Sequence, residues 1–255
     1  MVRALTLLGL VAVSACGSQP RPLRLGTTTT VEQSGMLAVA ESLWTGPRLA
    51  VVVAPSGQIL RSAAAGDLDL ALTHAPALEA QLLGGGQALL KCPFVWSDFA
   101  IVGPPGDPAH VAEATTAADG FRHIARAGAA FVSRGDSSGT HERELSIWRA
   151  AGLVPSGKPW YLESGTDQGA TLHLADERGA YALADLPTFR ALVGLRLRVL
   201  FTGDSILRNT YTLYLVRTAA PHPAARGFVA WAMQTWRAHI GAGFTPRPGA
   251  CVVPS

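Results

Sequence analysis

Three times in this chain a short apolar run gives way to a polar loop rich in hydroxyls, and then to the 3.6-residue pattern of a helix. Leu23-Arg24-Leu25 leads into Gly26–Thr30, with a helical pattern from about Ser34 through Met36, Leu37, Ala40 and Trp44. Ala129–Val132 leads into Ser133–Glu144, then Leu145, Ile147, Trp148 and Ala151. Trp160–Glu163 leads into Ser164–Gly169, then a helix opening at Ala170-Thr171 and stopped at Gly179. Such a junction aims free backbone N–H groups and the positive end of a helix dipole at one spot.

Between these junctions strands and helices keep alternating. Leu49–Ala54 reads as a buried strand. Pro55-Ser56-Gly57 caps the helix Gln58–Ala65, where Ser56 is an N-cap whose hydroxyl can also face the same cleft. Leu68–Thr73 alternates as a strand, and His74 after it reads as a satisfied structural histidine. Leu89–Val102 holds two extended pieces around Trp96-Ser97-Asp98, the expected first crossing between lobes, and Tyr211–Val216 is the expected return. Pro221–Ile240 reads as a helical region, followed by a proline-rich tail that folds back on the first lobe. The alternation argues an α/β fold, and donor-rich loops in both halves argue a cleft between two lobes. The expected division is 1–15 signal peptide, 16–22 tether, 23–97 with 218–255 as the first lobe, and 98–217 as the second.

The net charge is only +3, no basic run occurs and aromatics do not interleave with arginines, so nucleic acid is not an expected partner. Met1–Val13 has a basic start and an apolar run too short to span a bilayer. Val13-Ser14-Ala15-Cys16 resembles a bacterial lipobox, which would make Cys16 the acylated first mature residue. Cys92 and Cys251 are then candidates for one disulfide in an exported chain. Neither offers a metal-binding spacing, and no cofactor is expected.

The central loop, Ser133–Glu144, consists almost wholly of donors. Gly135 and Gly139 let the backbone bend and approach a ligand; Ser137, Ser138 and Thr140 bring hydroxyls; Arg134 brings a planar fork with permanent charge. The fitting guest is a small anion. Catalysis is the rival: Ser138 with His141 could be nucleophile and base, but no G-x-S-x-G elbow surrounds the serine and no third group is evident. His141 and Glu144 do not form a zinc-binding pair.

GTTTTVEQSG, SGQILRSAAAGDLDLALTHAP, WSDFAIVGPPGDP, FVSRGDSSGTHERELSIWRAAG, WYLESGTDQGATLHLADERGAYALADLPTF and YTLYLV together resemble the TupA-like tungstate-binding proteins of bacterial ABC transporters. The resemblance covers nearly the whole mature chain. It implies a two-lobed class II periplasmic solute-binding fold, a Venus flytrap, with the oxyanion tungstate or molybdate in the cleft. It implies an ABC permease as partner; with the lipobox, the expectation is a monomeric chain anchored to the membrane through Cys16, without enzymatic activity. Carried over, the ligand set is Thr28, Thr29, Thr30 and Ser56 in the first lobe, with Arg134, Ser138, Gly139, Thr140, Gly169, Ala170 and Thr171 in the second. A phosphate-binding protein is the alternative, because SRGDSSGT also resembles a phosphate loop and Asp136 could accept the proton phosphate keeps. In the tungstate reading Asp136 instead holds Arg134 or caps the helix. Asp167 places an acid near the third loop.

Overall fold

The computed structural model describes residues 21–254; the expected signal segment and Cys16 lie outside them. The chain runs β1 (Leu23–Thr27), α1 (Thr29–Gln33), α2 (Met36–Leu43), β2 (Leu49–Val53), α3 (Ser56–Ala64), β3 (Leu70–Thr73), α4 (Pro76–Leu83) and β4 (Ala88–Gly103). It continues α5 (Ala117–Ala127), β5 (Phe131–Ser133), α6 (Gly139–Ala150), β6 (Tyr161–Glu163), α7 (Gln168–Arg178), β7 (Ala182–Asp185) and α8 (Leu186–Ala191). Then come β8 (Arg198–Phe201), β9 (Arg208–Val216), α9 (Ala225–Gln234) and β10 (Thr245–Pro246).

The helices begin and end where local chemistry dictates. In α5 the Thr116 side chain accepts from the Asp119 N–H at 3.0 Å, and Gly128 at φ 59° stops the helix. Phe121 and Ile124 on its inner face are fully buried. Phe121 packs against Phe131 and Trp148 with ring centroids 5.3 and 4.3 Å apart. Removing such a ring costs about 3–5 kcal/mol, so this cluster anchors the second lobe.

In the first lobe β1 pairs in parallel with β2 and β3, and β3 pairs antiparallel with β9. Strand β4 joins the lobes. Its first part pairs with β9, while Phe99–Gly103 pair with β7 and β8. It is one sixteen-residue strand rather than two extended pieces. A parallel pair, β5 and β6, completes the second lobe, and Phe131 bridges to Tyr181 beside β7. Each lobe has its own core: Leu25, Leu70, Phe94 and Phe228 in the first, Phe99, Ile101, Phe131 and Trp148 in the second.

The valine run of β2 is not buried. Among the described residues β2 ends the sheet, with β1 its only neighbour, and Val52 is 44% exposed. The return crossing also differs from expectation. Residues 208–216 lie in the first sheet, where Asp98 pairs Arg208 and Thr73 pairs Thr212, so the chain re-enters that sheet at the start of β9. The tail folds back on the first lobe: β10 pairs with β4, Lys91 bridges Val252, and Cys92 is disulfide-bonded to Cys251. Closing a loop of 159 residues contributes about 5 kcal/mol in the chain-entropy account.

Candidate functional site

The first threonine loop is itself a helix start. Thr28 is the N-cap of α1, accepting from the Val31 N–H at 3.4 Å, and Gly35 at φ 80° separates α1 from α2. The sequence pattern put the helix near Ser34 because α1 shows no apolar stripe in its five residues. Thr28 and Thr30 are buried and hydrogen-bonded to each other at 2.8 Å, and Thr30 reaches His74 Nε2 at 2.9 Å. Thr29 is half-buried and accepts from Arg134 Nη2 at 3.3 Å.

Ser56 is not an N-cap. It is the first helical residue of α3, Pro55 occupies the cap position, and the buried Ser56 Oγ has no hydrogen-bond partner. Gly57 beside it donates its N–H to Ser137 O at 3.3 Å, so this helix start touches the second-lobe loop.

Within that loop Ser138 caps α6, accepting from the His141 N–H at 3.2 Å. Gly139 lies so close to the first lobe that a Cβ there would stand 2.5 Å from His74 O. Thr140 Oγ1 is buried and partnerless. Arg134, 2% exposed, donates Nε to Thr166 O at 3.3 Å and Nη2 to both Thr29 and Asp136, while Nη1 has no partner. Burial pulls its pKa down, opposed chiefly by Asp136. Asp136 does both things that were open for it: one oxygen holds Arg134, the other accepts from the Ser138 N–H at 3.1 Å.

The third loop is satisfied from within. Asp167 caps α7 by accepting from the Ala170 N–H at 2.9 Å. Gly169 donates its N–H across the cleft to Gln33 Oε1 at 3.1 Å. Thr171 Oγ1 donates to Asp167 O at 2.7 Å and so must accept from Ser164 Oγ, also at 2.7 Å. Ala170 is exposed.

The structure thus brings together Thr29, Ser56, Arg134 and the α6 start, with Thr28 and Thr30 behind Thr29. Four buried donor atoms among the described residues lack partners: Ser56 Oγ, Arg134 Nη1, Thr140 Oγ1 and His141 Nε2. His141 Nε2 counts as a donor because Nδ1 accepts from the Ser137 N–H at 3.2 Å. The other partnerless atoms, at Gln87, Glu142 and Gln168, are acceptor oxygens. Unsatisfied buried donors cost about 1–3 kcal/mol each, so these atoms mark a candidate ligand site. The inter-lobe bond from Gln33 was not foreseen; it follows a threonine run and carries no pattern of its own. Among the described residues no cluster of metal-ligating side chains occurs, and no helix is long and apolar enough to cross a membrane.

Residues 16–235 match the family description of a PBP superfamily domain. The tungstate ABC transporter structure from Geobacter sulfurreducens is 34% identical, covering 84% of this chain and 94% of that one, with a TM-score of 0.75. The tungstate-binding protein TupA from Desulfovibrio alaskensis is 30% identical, covering 90% of this chain and all of that one, with a TM-score of 0.72. A protein of Haloferax volcanii assigned as the anion-binding protein of an ABC transporter is 39% identical over 77% of this chain. The match spans only 60% of that protein's length. The two-lobed α/β fold, the match along most of the chain and the shared length with both tungstate-binding structures lead to one conclusion. The chain belongs to the PBP superfamily and, within it, to the TupA-like tungstate-binding proteins.

Proposed function

We propose that this protein captures tungstate between its lobes and delivers it to the permease of an ABC transporter. The observation that carries the reading is the set of buried, partnerless donors Arg134 Nη1, Ser56 Oγ and Thr140 Oγ1 on loops that meet across the cleft. Thr29 joins them through Arg134, and Ser138 and Gly139 shape the helix start that faces the anion. Tungstate is a fully ionised dianion at neutral pH, and donors without acceptors suit it. Molybdate has the same charge and nearly the same size and is expected to bind as well. The names of the relatives support an oxyanion as ligand and a permease as partner.

Phosphate is the weaker reading, because Arg134 Nη1, Ser56 Oγ and Thr140 Oγ1 all offer donors, while Asp136 is committed to holding Arg134 and capping at the Ser138 N–H. Hydrolysis is disfavoured: the Ser138 hydroxyl binds the His141 backbone N–H, not the imidazole. Export as a monomer, with Cys16 acylated after removal of residues 1–15, completes the proposal; Cys16→Ser should then move the chain from membrane to soluble fractions. Two acyl chains are needed for stable anchoring. The test of function is calorimetric titration with tungstate, molybdate, sulfate and phosphate. Tungstate should bind most tightly or equal molybdate. Tighter binding of phosphate or sulfate would overturn the reading.

A further inference from the structure

Behind the threonine loop a line of buried polar side chains passes from the second lobe to the first. Asp185 caps α8 and accepts from Ser97 Oγ at 2.7 Å and from Asn209 Nδ2 at 2.9 Å. Asn209 on β9 also directs Nδ2 to Tyr211 OH at 3.0 Å, so both its amide hydrogens are spent. Its oxygen is therefore the atom 3.0 Å from His74 Nδ1. An amide oxygen only accepts, so Nδ1 carries the hydrogen. A neutral imidazole has one N–H, which leaves Nε2 as an acceptor. Thr30 Oγ1, 2.9 Å away, must donate to it, and Thr28 Oγ1 at 2.8 Å must donate to Thr30. His74 is 2% exposed and stacked on Tyr211 at 4.8 Å between centroids. Burial and the nearby Arg134 charge pull its pKa down to about 3, which keeps the ring neutral.

We infer that His74 is a positioning residue of the anion site: held as the Nδ1–H tautomer by Asn209, it turns the hydroxyl hydrogens of Thr30 and Thr28 away from the oxyanion. Thr29 is then the hydroxyl of this loop that donates to the ligand. Its oxygen already accepts from Arg134 Nη2, and its hydrogen has no acceptor among the described residues. The resemblance placed all three threonines on the anion as equals; the hydrogen bonds divide them into one donor and two supports. This inference rests on the oxyanion reading above.

The test joins a spectroscopic and a binding measurement. In the chain labelled with 15N-histidine, His74 is assigned by the signals lost in His74→Gln. The expected shifts are those of a protonated Nδ1 and an unprotonated Nε2, unchanged when tungstate saturates the protein. His74→Gln can still accept from Thr30 through its side-chain oxygen and should bind tungstate within about threefold of the parent. His74→Phe keeps a stacked ring without an acceptor, frees the Thr30 hydrogen and should bind about tenfold more weakly. A parent ring protonated at Nε2 or at both nitrogens overturns the inference while the parent still binds oxyanion. So does a folded His74→Phe with parental affinity; if His74→Phe does not fold, the parent's shifts decide. A parent that binds no oxyanion overturns the functional reading itself and the positioning role with it.

Discussion

The loops that open α6 and α7 look alike in sequence and differ in what they leave free. Both follow a short strand, both contain glycines and hydroxyls, and both present a capped helix start. At α7 the accounting closes: Asp167 and Gln33 take up every donor of Gly169, Ala170 and Thr171 discussed above, and Ser164 donates to the Thr171 hydroxyl. At α6 it does not close, because Arg134 Nη1 and Thr140 Oγ1 remain without partners in a buried place. A donor-rich loop is thus a scaffold or a ligand site depending on whether its hydrogen bonds are already made. In the proposed function the α6 loop is the one that holds the anion, while the α7 loop makes a hydrogen bond between the lobes, Gly169 N–H to Gln33 Oε1.

Substitution of Arg134 breaks the comparison most strongly. Losing a charge-assisted bond to a dianion in a closed cleft costs about 2–4 kcal/mol, so Arg134→Ala should weaken tungstate binding by roughly 30- to 1,000-fold in titration. Arg134→Lys should recover only part, since a point charge lacks the planar fork.

Acid should separate the two regions next. A folded-state pKa of about 3 for His74 lies below its ordinary 6.5. Its stabilising effect is full above pH 6.5 and is lost as pH falls toward 3, with a ceiling of about 5 kcal/mol. Asp167 is pushed up by burial, but the bonds from Ala170 and Gln33 and the Arg134 charge outweigh this and hold its carboxyl below the usual range. The stabilising effect of His74 therefore begins to fall at a higher pH than that of the α7 cap, which begins to fall only below the ordinary carboxylate value of 3.8. Denaturant unfolding across this pH range should show a shallower dependence for His74→Gln than for the parent.

Smaller effects are expected from the neutral donors. Ser56→Ala and Thr140→Val should each weaken binding about 5- to 30-fold, at about 1–2 kcal/mol per hydrogen bond to an ion. Thr171→Val removes a hydroxyl already donated to Asp167 O and should change affinity by less than about threefold. A loss at Thr171 equal to that at Thr140 would erase the distinction between the loops.

Much of this fold is written in local pattern. Glycine stops, caps and alternating apolar runs located α5, α6 and α7 closely, because each of these helices carries its own cap and its own C-terminal glycine or turn. The places where pattern fell short depend on neighbours distant in sequence. Val51 and Val52 read as buried, yet only the sheet order makes β2 an edge. Ser56 read as a cap whose hydroxyl could also face the cleft; the folded chain puts Pro55 in the cap position and leaves the Ser56 hydroxyl without a partner. His74 read as a satisfied histidine, which it is, but its partners Asn209 and Thr30 lie 135 and 44 residues away. Residue types pointed to an anion as the fitting guest; hydrogen-bond partners show which donors the fold leaves free.

The most direct measurement is a crystal structure with tungstate bound, the metal located by its anomalous scattering. The tungstate oxygens should lie within hydrogen-bonding distance of Arg134 Nη1, Ser56 Oγ, Thr140 Oγ1 and Thr29 Oγ1, with the Gly169–Gln33 bond intact. An ion seated instead on the N–H groups of Gly169, Ala170 and Thr171, with Arg134 Nη1 turned away, would contradict the account.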